Sequence, residues 1–369
     1  MVKSCNKQDL KFMSLAINLA KNNLGLTSPN PSVGAVIVKN NIILATGITG
    51  SNGRPHAEES AILQLSSQDL QDTAIYISLE PCCHNGRGDL CCTDLIIKSG
   101  IKRVIFAVKD PDLRTNGKSI IKLQKAKIEV EYGLMEKEAK QVNRGFFQSK
   151  LKNRPFITTK IAATIDGKIA TKSFDSKWIS NDESRRYTNF LRSKNDAILI
   201  GANSFRKDNP TLNCRIDGLE NRSPKRIILN KNFDLNLSKE FLDSCQNIPT
   251  FFVIRNDLKI TSEYQNLNFI KSSLNAQNNI DLNDLMPKLT DIGVNNLLIE
   301  GGGQVFASFL EENLIDELIL VKGNFILGSD AISCIADLKI NLISDIENKF
   351  TIDKIRKIKD DLIIKYQKL

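Results

Sequence analysis

Residue types that can carry out chemistry are concentrated in one short part of the chain. The only two histidines are His56 and His84, and Glu58 lies two residues after the first of them. His84 ends the segment Pro81-Cys82-Cys83-His84, and Cys91-Cys92 follows it. One imidazole and two thiolates are a typical ligand set for Zn²⁺ when the fourth tetrahedral position stays open to water. The spacing therefore indicates an open zinc site.

Such a site supports hydrolysis at neutral pH. Zinc lowers the pKa of its bound water, so hydroxide is available as a nucleophile. In zinc-dependent nucleobase deaminases, a glutamate two residues after the histidine ligand does not bind the metal and instead acts as general acid and base. Glu58 occupies that position, and we interpret it as the carrier of the proton between the attacking water and the departing amine.

A structural zinc site is the alternative. Structural sites have four protein ligands, and Cys83, His84 or Cys92 could supply the fourth. This alternative gives Glu58 no role. A non-catalytic zinc module that binds nucleic acid is a related alternative, and it predicts salt-sensitive binding of DNA or RNA.

The surrounding periodicity predicts the elements that hold these residues. The segment VGAVIVKNNIILATG predicts two strands joined by a tight turn, and TAIYISLE predicts a third strand. HAEESAILQL and CCTDLIIKSG have helical spacing. The histidine therefore begins a helix and the first cysteine follows a strand. This places them on one side of a sheet, where α/β proteins usually carry their sites.

Length and patterning predict two α/β domains. A chain of 369 residues exceeds the size at which one hydrophobic core usually stops growing. The predicted helix EKEAKQVNRGFFQSKL leads towards Pro155, and the alternation of strands and helices restarts beyond it. We predict domains at residues 1–150 and 151–369.

Two further signals lie in the second half of the chain. Ser180 and Glu183 match a capping box, which predicts the start of a helix. The segment LLIEGGGQVF predicts a strand, a glycine-rich turn and a helix, an arrangement whose backbone N–H groups can bind phosphate. Taken alone, the triple glycine is weak evidence, because it also serves as a plain tight turn.

Composition excludes several classes of protein. The chain is 41% hydrophobic and 25% charged, as in an ordinary soluble protein. No apolar run reaches the length of a membrane span, and the N-terminal residues predict an amphipathic helix rather than a secretion signal. The net charge of +9 is spread along the chain and forms no basic stripe for nucleic acid. We expect a cytoplasmic protein without disulfide bridges.

The order of the motifs resembles one known family, the bifunctional deaminase–reductases of riboflavin biosynthesis. SPNPSVGAVIV at positions 28–38, then HAE, then EPCCHNGRGDLC match the motifs of that family, and the resemblance extends over essentially the whole chain. It implies a cytidine-deaminase-like three-layer α/β/α domain followed by a dihydrofolate-reductase-like α/β domain. Another deaminase, acting on tRNA adenosine or free cytidine and joined to an unrelated C-terminal module, is an alternative. The eight-residue cysteine spacing and the IEGGG segment speak against it.

In the N-terminal domain the resemblance implies three zinc ligands and one proton carrier, which are His56, Cys82, Cys91 and Glu58. Eight residues separate these two cysteines, which is the spacing matched to the family. The pattern positions near the pyrimidine pocket are Asn30, His84 and Arg87. Where the family usually has Thr-Pro-Pro, this chain has Gly88-Asp89-Leu90, so the loop before the last cysteine differs.

In the C-terminal domain the resemblance implies an NADPH site and a substrate site. The residues that would line NADPH are Ala162, Trp178, Ser204, Asp208, Gly302, Gly303, Gln304, Val305, Phe306, Ala307 and Ser308. The residues that would contact the substrate are Ser176, Arg192, Leu212, Arg215 and Glu300. Arginine forks suit the oxygens of a phosphate. Three candidates for the proton donor stay unranked: Lys160, Asp208 and Glu300.

The implied reactions are consecutive. Zinc-dependent hydrolytic deamination of 2,5-diamino-6-(5-phosphoribosylamino)pyrimidin-4-one would be followed by NADPH-dependent reduction of the ribosyl side chain to ribityl. The expected partner is this small phosphorylated pyrimidine, with no nucleic acid and no membrane. We also expect a homo-oligomer.

Overall fold

The computed structural model describes residues 7–84, 90–261, 264, 267–346 and 349–369. The chain divides into two compact units, Met1–Asn153 and Arg154–Leu369. The division lies a few residues after the predicted boundary at 150, because a helix spanning Arg144–Lys152 continues across that position. Among the described residues, no helix combines the length and the apolar character that crossing a membrane requires.

The N-terminal unit contains a five-stranded sheet with its helices. The strands are β1 (Gly34–Lys39), β2 (Ile42–Ile48), β3 (Ala74–Ile77), β4 (Arg103–Phe106) and β5 (Glu129–Tyr132). The helices are α1 (Lys7–Asn22), α2 (Ala57–Ile62), α3 (Ser67–Leu70), α4 (Cys92–Ser99), α5 (Lys118–Lys125), α6 (Glu136–Val142) and α7 (Arg144–Lys152). The strand order is β2-β1-β3-β4-β5, in which β1 is antiparallel to β2 and β3, and the last three strands are parallel.

Local chemistry explains why the elements around the cysteines form where they were predicted. Asn40 and Asn41 have φ values of 51° and 63°, as the tight turn between β1 and β2 requires. Gly100 ends α4 with a φ of 87°. A Cβ atom on Gly47 would lie 2.0 Å from the carbonyl oxygen of Ala57. Glycine in β2 therefore lets α2 approach the sheet closely and fixes the position of its first turn.

The predicted helix at the end of this unit is two helices. Asn143 separates α6 from α7, with φ and ψ of −98° and 24°. Its side chain forms two hydrogen bonds, both 2.9 Å long, with the backbone N–H and carbonyl of Ser32. Because Asn143 is 3% exposed, this contact with a distant segment holds the break in place.

The C-terminal unit contains a larger, mostly parallel sheet. The strands are β6 (Phe156–Ala163), β7 (Lys168–Ala170), β8 (Ala197–Gly201), β9 (Lys225–Leu229), β10 (Thr250–Arg255), β11 (Asn268–Ser272), β12 (Asn296–Ile299), β13 (Glu317–Lys322), β14 (Ile332–Ser333), β15 (Phe350–Ile358) and β16 (Asp361–Lys368). The helices are α8 (Asp182–Arg192), α9 (Ala202–Asp208), α10 (Lys239–Ser244), α11 (Leu282–Asp291) and α12 (Gly303–Glu311). The nine-stranded order is β11-β10-β9-β8-β12-β6-β13-β16-β15, and β7 pairs with β14 separately.

The central strands of this sheet are buried on both faces. Along β8, Leu199 belongs to one hydrophobic cluster, while Ile198 and Ile200 belong to another, as expected when successive side chains point to opposite faces. Strands β6, β12 and β8 are adjacent and parallel. The segments that follow them therefore meet at one edge of the sheet, where α/β proteins carry their sites.

The predicted capping box at Ser180 is wrong by one residue. Asn181 is the N-cap of α8, and its Oδ1 accepts a hydrogen bond of 3.0 Å from the backbone N–H of Ser184. The backbone N–H of Asn181 also donates to Asp361 at 2.8 Å, which holds this residue in place. A residue near the end of the chain thus supports the start of this helix.

Candidate active sites

Three side chains of the N-terminal unit form a cluster that could hold a metal ion. They are His56, Cys82 and Cys92, and their Nδ1 and two Sγ atoms all lie within 4.8 Å of one another. His56 Nδ1 is 3.1 Å from the Sγ atom of Cys92 and 3.6 Å from that of Cys82. One nitrogen and two sulfur atoms fit Zn²⁺ with one position left for water.

Each of these ligands lies at the boundary of a helix or strand. His56 is the N-cap of α2, Cys82 follows β3, and Cys92 is the first residue of α4. The backbone N–H of Cys92 points at the Sγ atom of Cys82 at 3.4 Å. The hydrogen bond from Cys92 and the neighbouring His56 lower the pKa of the Cys82 thiol far below its usual value, although burial opposes this. The site therefore favours the thiolate form that binds metal.

Cys91, which was predicted to be the third ligand, does not belong to this cluster. Its Sγ atom lies 3.1 Å from Asp94 Oδ2 and 4.0 Å from Lys122 Nζ, outside the cluster. Cys91 is the N-cap of α4, and the side chain of its neighbour Cys92 points in a different direction. Burial raises the pKa of Cys91 to about 11, which disfavours the thiolate. In this chain nine residues, not eight, separate the two cysteines that meet.

Glu58 lies beside the cluster in the first turn of α2. It is 4% exposed, and burial raises its pKa to about 7 against the opposing effect of His56. Its carboxyl also interacts with the thiol of Cys92 through a hydrogen bond. A carboxyl group with this pKa exchanges a proton readily near neutral pH.

The residues proposed for a closed structural site lie elsewhere, apart from Cys92. Cys83 Sγ donates to the carbonyl oxygen of Arg114 at 3.4 Å, and His84 Nδ1 lies 3.2 Å from the hydroxyl of Thr115. Neither belongs to the cluster, so within the described residues it offers three candidate ligands. Asn30 packs against Gly53, close to His56 in the sequence. The predictions for Arg87 and for the Gly88-Asp89 part of the altered loop lie outside the described residues.

Sequence reasoning gave no role to Glu80, which supports the cysteine segment. Glu80 is 3% exposed. Its carboxylate accepts hydrogen bonds from the backbone N–H groups of Asp110 (3.1 Å) and Gly117 (3.0 Å) and from the hydroxyl of Ser119 (2.6 Å). Glu80 thereby fixes the loop that contacts Cys83 and His84. The sequence feature that could have indicated this role is the position of Glu80 directly before Pro81.

The C-terminal unit has a largely buried ion pair at the carboxyl edge of its sheet. Glu300 follows β12, and both of its carboxylate oxygens accept hydrogen bonds of 2.8 Å from Arg192 at the end of α8. Arg192 also donates to the carbonyl oxygen of Asn213 at 3.0 Å. Burial raises the pKa of Glu300, but Arg192, Lys160 and Arg215 together hold it below its usual value.

Lys160 of β6 lies near this ion pair. Burial lowers the pKa of its ammonium group, and Arg192 adds to this effect while Glu300 opposes it. By contrast, Asp208 is exposed at the end of α9. The three candidates for the proton donor thus have different surroundings. Lys160 and Glu300 are both partly buried and the pKa of each is lowered, which makes the lysine a better proton donor but keeps the glutamate ionised.

The glycine-rich turn brings together several residues predicted to line NADPH. Gly302 is the N-cap of α12, and a Cβ atom at that position would lie 3.6 Å from the hydroxyl of Ser204. Gln304 Oε1 accepts a hydrogen bond of 3.2 Å from Asn203. Phe306 and Ala307 are buried in the hydrophobic core, so these two could reach a ligand only through their backbone.

The remaining predicted residues are spread around this edge. Ala162 lies at the end of β6, Val305 packs against Gly201, and Ser308 is partly buried on α12. Leu212 is buried with a φ of 51°. Trp178 is 64% exposed, and the Arg185 guanidinium lies 4.2 Å from its ring centre. The exposed members are Ser176, Asp208 and Arg215.

Comparison with known proteins agrees with this division into two sites. Residues 6–108 match the cytidine and deoxycytidylate deaminase zinc-binding region, and residues 155–364 match the RibD C-terminal domain. The riboflavin biosynthesis protein RibD of Aquifex aeolicus is 37% identical, over 98% of both chains. The Escherichia coli RibD is 32% identical over 88% of this chain and 90% of that protein.

The chain belongs to the RibD family.

Solved structures show the same architecture. Acinetobacter baumannii RibD has a TM-score of 0.88 at 30% identity, covering 98% of this chain and 99% of that one. A diaminohydroxyphosphoribosylaminopyrimidine deaminase/5-amino-6-(5-phosphoribosylamino)uracil reductase from Thermotoga maritima has a TM-score of 0.84 at 31% identity, with the same coverage. The predicted fold class is therefore confirmed.

The family assigns an activity to each unit. The N-terminal unit is a zinc-dependent deaminase domain, and the C-terminal unit is an NADPH-dependent reductase domain. This RibD chain is accordingly a bifunctional enzyme of riboflavin biosynthesis. The predicted cofactors, Zn²⁺ and NADPH, are confirmed with it.

Proposed function

We propose that His56, Cys82 and Cys92 hold zinc and that Glu58 carries the proton during deamination of 2,5-diamino-6-(5-phosphoribosylamino)pyrimidin-4-one. Zinc, when bound, supplies hydroxide at neutral pH. Glu58 takes the proton of the attacking water and gives it to the departing amine, so that ammonia leaves. The observation that carries this proposal is the buried Glu58, with a pKa of about 7, beside one nitrogen and two sulfur ligands.

We propose that Lys160 donates the proton in the second reaction. Reduction adds a hydride, supplied by NADPH, to the ribosyl C1′ atom, and the ring oxygen that leaves C1′ needs a proton. Glu300 is a poor donor because Arg192 keeps it ionised, and Asp208 is exposed to solvent. Lys160 is partly buried and its pKa is lowered, so its ammonium group gives up a proton more easily than an exposed lysine does.

The NADPH-binding role of the glycine-rich turn rests on its backbone. The N-terminus of α12 carries the positive end of a helix dipole, and its N-cap residue, Gly302, provides no side chain to cap the first N–H groups. Ser204 lies close enough to Gly302 to contact the same ligand. We assign this turn to the cofactor's phosphates, and Glu300, Arg192 and Lys160 to the ribosyl side chain.

We also propose that the enzyme works in the cytoplasm. The described cysteines are all free thiols, which fits a reducing compartment. The homo-oligomer stays a prediction, and analytical ultracentrifugation of the purified protein would test it.

Metal removal tests how the two reactions are divided. After treatment with a chelator, the enzyme should release no ammonia from the diaminopyrimidine. It should still oxidise NADPH when the deaminated product is supplied, because the proposed reductase site contains no metal ligand. Restoring zinc should restore ammonia release. Chelator-resistant deamination, or equal loss of both reactions, would overturn the assignment of residues.

A further inference from the structure

The two cysteines of the candidate zinc site come from separate elements of the deaminase domain. Cys82 follows β3, and Cys92 is the first residue of α4. To share one ion, their Sγ atoms must lie at a defined separation, because a Zn–S bond is about 2.3 Å long. The contacts between the segment at Cys82 and the start of α4 therefore decide how well the two sulfur atoms fit the metal.

The start of α4 depends on Cys82 for its capping. The N-cap residue, Cys91, makes no side-chain hydrogen bond to the first N–H groups of the helix, and such groups need acceptors from elsewhere. The Sγ atom of Cys82 lies 3.4 Å from the backbone nitrogen of Cys92, and its carbonyl oxygen accepts from the backbone N–H of Thr93 at 3.0 Å. One candidate ligand thus caps the helix that carries another.

The side chain of Thr93 adds a further connection. Its hydroxyl oxygen lies 2.8 Å from the carbonyl oxygen of Cys82 and 3.3 Å from that of Pro81. A hydroxyl has one proton to donate, so two successive carbonyl groups share it. The carbonyl oxygen of Cys82 therefore faces both the N–H and the hydroxyl of a single residue on α4.

Thr93 is closed off from solvent, since it is 0% exposed. A side chain without exposure does not contact a substrate that enters from solvent, so any effect of the hydroxyl on deamination must pass through Cys82. The backbone contacts of α4 with Cys82 remain in every variant of Thr93. A substitution at this position consequently tests the hydroxyl alone.

The packing leaves little room for another group in place of the hydroxyl. Valine has the shape of threonine, with a methyl group where threonine has its hydroxyl. A methyl carbon approaches a carbonyl oxygen no closer than about 3.3 Å, so Thr93→Val would push the segment Pro81–Cys82 away from α4 by about 0.5 Å. Ligand distances in metal sites are held to within about 0.2 Å.

We propose that Thr93 is a positioning residue of the deaminase, whose hydroxyl holds Cys82 against α4 and thereby sets the zinc affinity of the site. This inference rests on the proposed function, in which Cys82 and Cys92 are zinc ligands. It adds a residue that binds neither metal nor substrate and acts on the separation of the two sulfur atoms.

The test measures zinc affinity by titrating the metal-free full-length protein with zinc in competition with a chelator of known affinity. Thr93→Val should weaken zinc binding by about 100-fold and Thr93→Ala by about tenfold, the range typical of losing a group that orients a metal ligand. Thr93→Ser keeps the hydroxyl and should bind zinc as the parental enzyme does. Excess zinc should restore ammonia release in Thr93→Val, because the property lost is affinity.

The matched control is Thr73→Val. Thr73 is 1% exposed, directly precedes β3, and donates from its hydroxyl to the carbonyl oxygen of Leu70 at 2.7 Å. This variant also loses a buried hydroxyl of the same domain, but at the opposite end of β3 from Cys82. It should lower the melting temperature of the domain and leave the zinc affinity unchanged.

Parental zinc affinity in Thr93→Val and Thr93→Ala would overturn the inference while the proposed function stands, and so would an equal loss of affinity in Thr73→Val. If Thr93→Val does not fold, the comparison of Thr93→Ala with Thr93→Ser decides the question. If the parental protein itself binds no zinc, the proposed function fails.

Discussion

Each domain places a glutamate at its candidate site, and the two glutamates have opposite electrostatic surroundings. Glu58 of the deaminase domain is 4% exposed, no ion pair holds it among the described residues, and burial raises its pKa to about 7. Glu300 of the reductase domain has a side chain that is 16% exposed. Arg192 binds both of its oxygens, and the pKa of Glu300 is lowered despite burial.

The difference in pKa suits Glu58 to carrying protons and Glu300 to remaining a negatively charged carboxylate. A carboxyl with a pKa near the working pH can accept a proton in one step and return it in the next. A carboxylate locked in a bidentate ion pair stays ionised and positions its partners. Surroundings that push the pKa values of similar groups apart commonly assign them different roles. The following changes test whether this contrast holds.

The largest expected effect is on deamination. Glu58→Gln keeps the shape of the side chain but removes its ability to carry a proton. Ammonia release should fall by about 10³-fold or more, measured by a coupled ammonia assay. The zinc content and the reduction of the deaminated product should not change, because Glu58 is not a ligand.

Glu59→Gln provides the matched control at the next position. Glu59 accepts a hydrogen bond from the backbone N–H of His56, and glutamine keeps that acceptor. This variant should deaminate at the parental rate. Near-parental activity in Glu58→Gln would show that another group carries the proton.

A second buried carboxyl group of the deaminase domain should make the free energy of unfolding depend on pH. Asp110 is 7% exposed, and burial raises its pKa from 3.8 to about 7. Between these two values the folded state keeps a proton that the unfolded state has lost, so the free energy of unfolding decreases as the pH rises. The total loss is about 4 kcal/mol once the pH exceeds 7.

Asp110→Asn removes this penalty and keeps the acceptor for the backbone N–H of Asp112. At pH 8 the deaminase domain of this variant should unfold roughly 10 °C above the parental one, measured by differential scanning calorimetry. The advantage should shrink as the pH is lowered towards 4. Asp72→Asn, an exposed position of the same domain, should show no such trend. An advantage of Asp110→Asn that did not vary with pH would refute the proposed linkage.

The smallest expected effect concerns the paired glutamate. Glu300→Gln leaves Arg192 buried without its counter-charge, which should cost the reductase domain about 3 kcal/mol. NADPH oxidation should also fall, by about 10²-fold, while ammonia release continues. Urea unfolding and both assays would measure this, with Glu311→Gln on the exposed side of α12 as the control. Parental stability of Glu300→Gln would mean that the ion pair does not hold the site together.

The local elements of the deaminase site could be predicted because their signals are local. Periodicity placed the strands and helices around the histidine and the cysteines, and Gly100 marked the end of α4. The choice between Cys91 and Cys92 could not be made in this way. It depends on which residue begins α4. Either of the two adjacent cysteines can be aligned with the second cysteine of the motif. Counting back from Gly100 along the helix was the signal that could have resolved it.

The parts that sequence reasoning missed depend on contacts between distant segments. Asn143 separates two helices where its side chain bonds Ser32, and Asn181, the N-cap of α8, is also bound by Asp361. The pair of Arg192 and Glu300 joins residues 108 positions apart. Both residues were expected to contact the substrate, but their pairing became visible only when the strands had been ordered in the sheet.

The most direct test of the account is the zinc content of two single variants, Cys91→Ser and Cys92→Ser, measured by mass spectrometry on purified protein. The account predicts about one zinc ion per chain in Cys91→Ser, with deamination retained. It predicts that Cys92→Ser loses both the metal and ammonia release while it still reduces the deaminated product. A Cys92→Ser variant that keeps its zinc, or a Cys91→Ser variant that loses it, would contradict the assignment of the metal site.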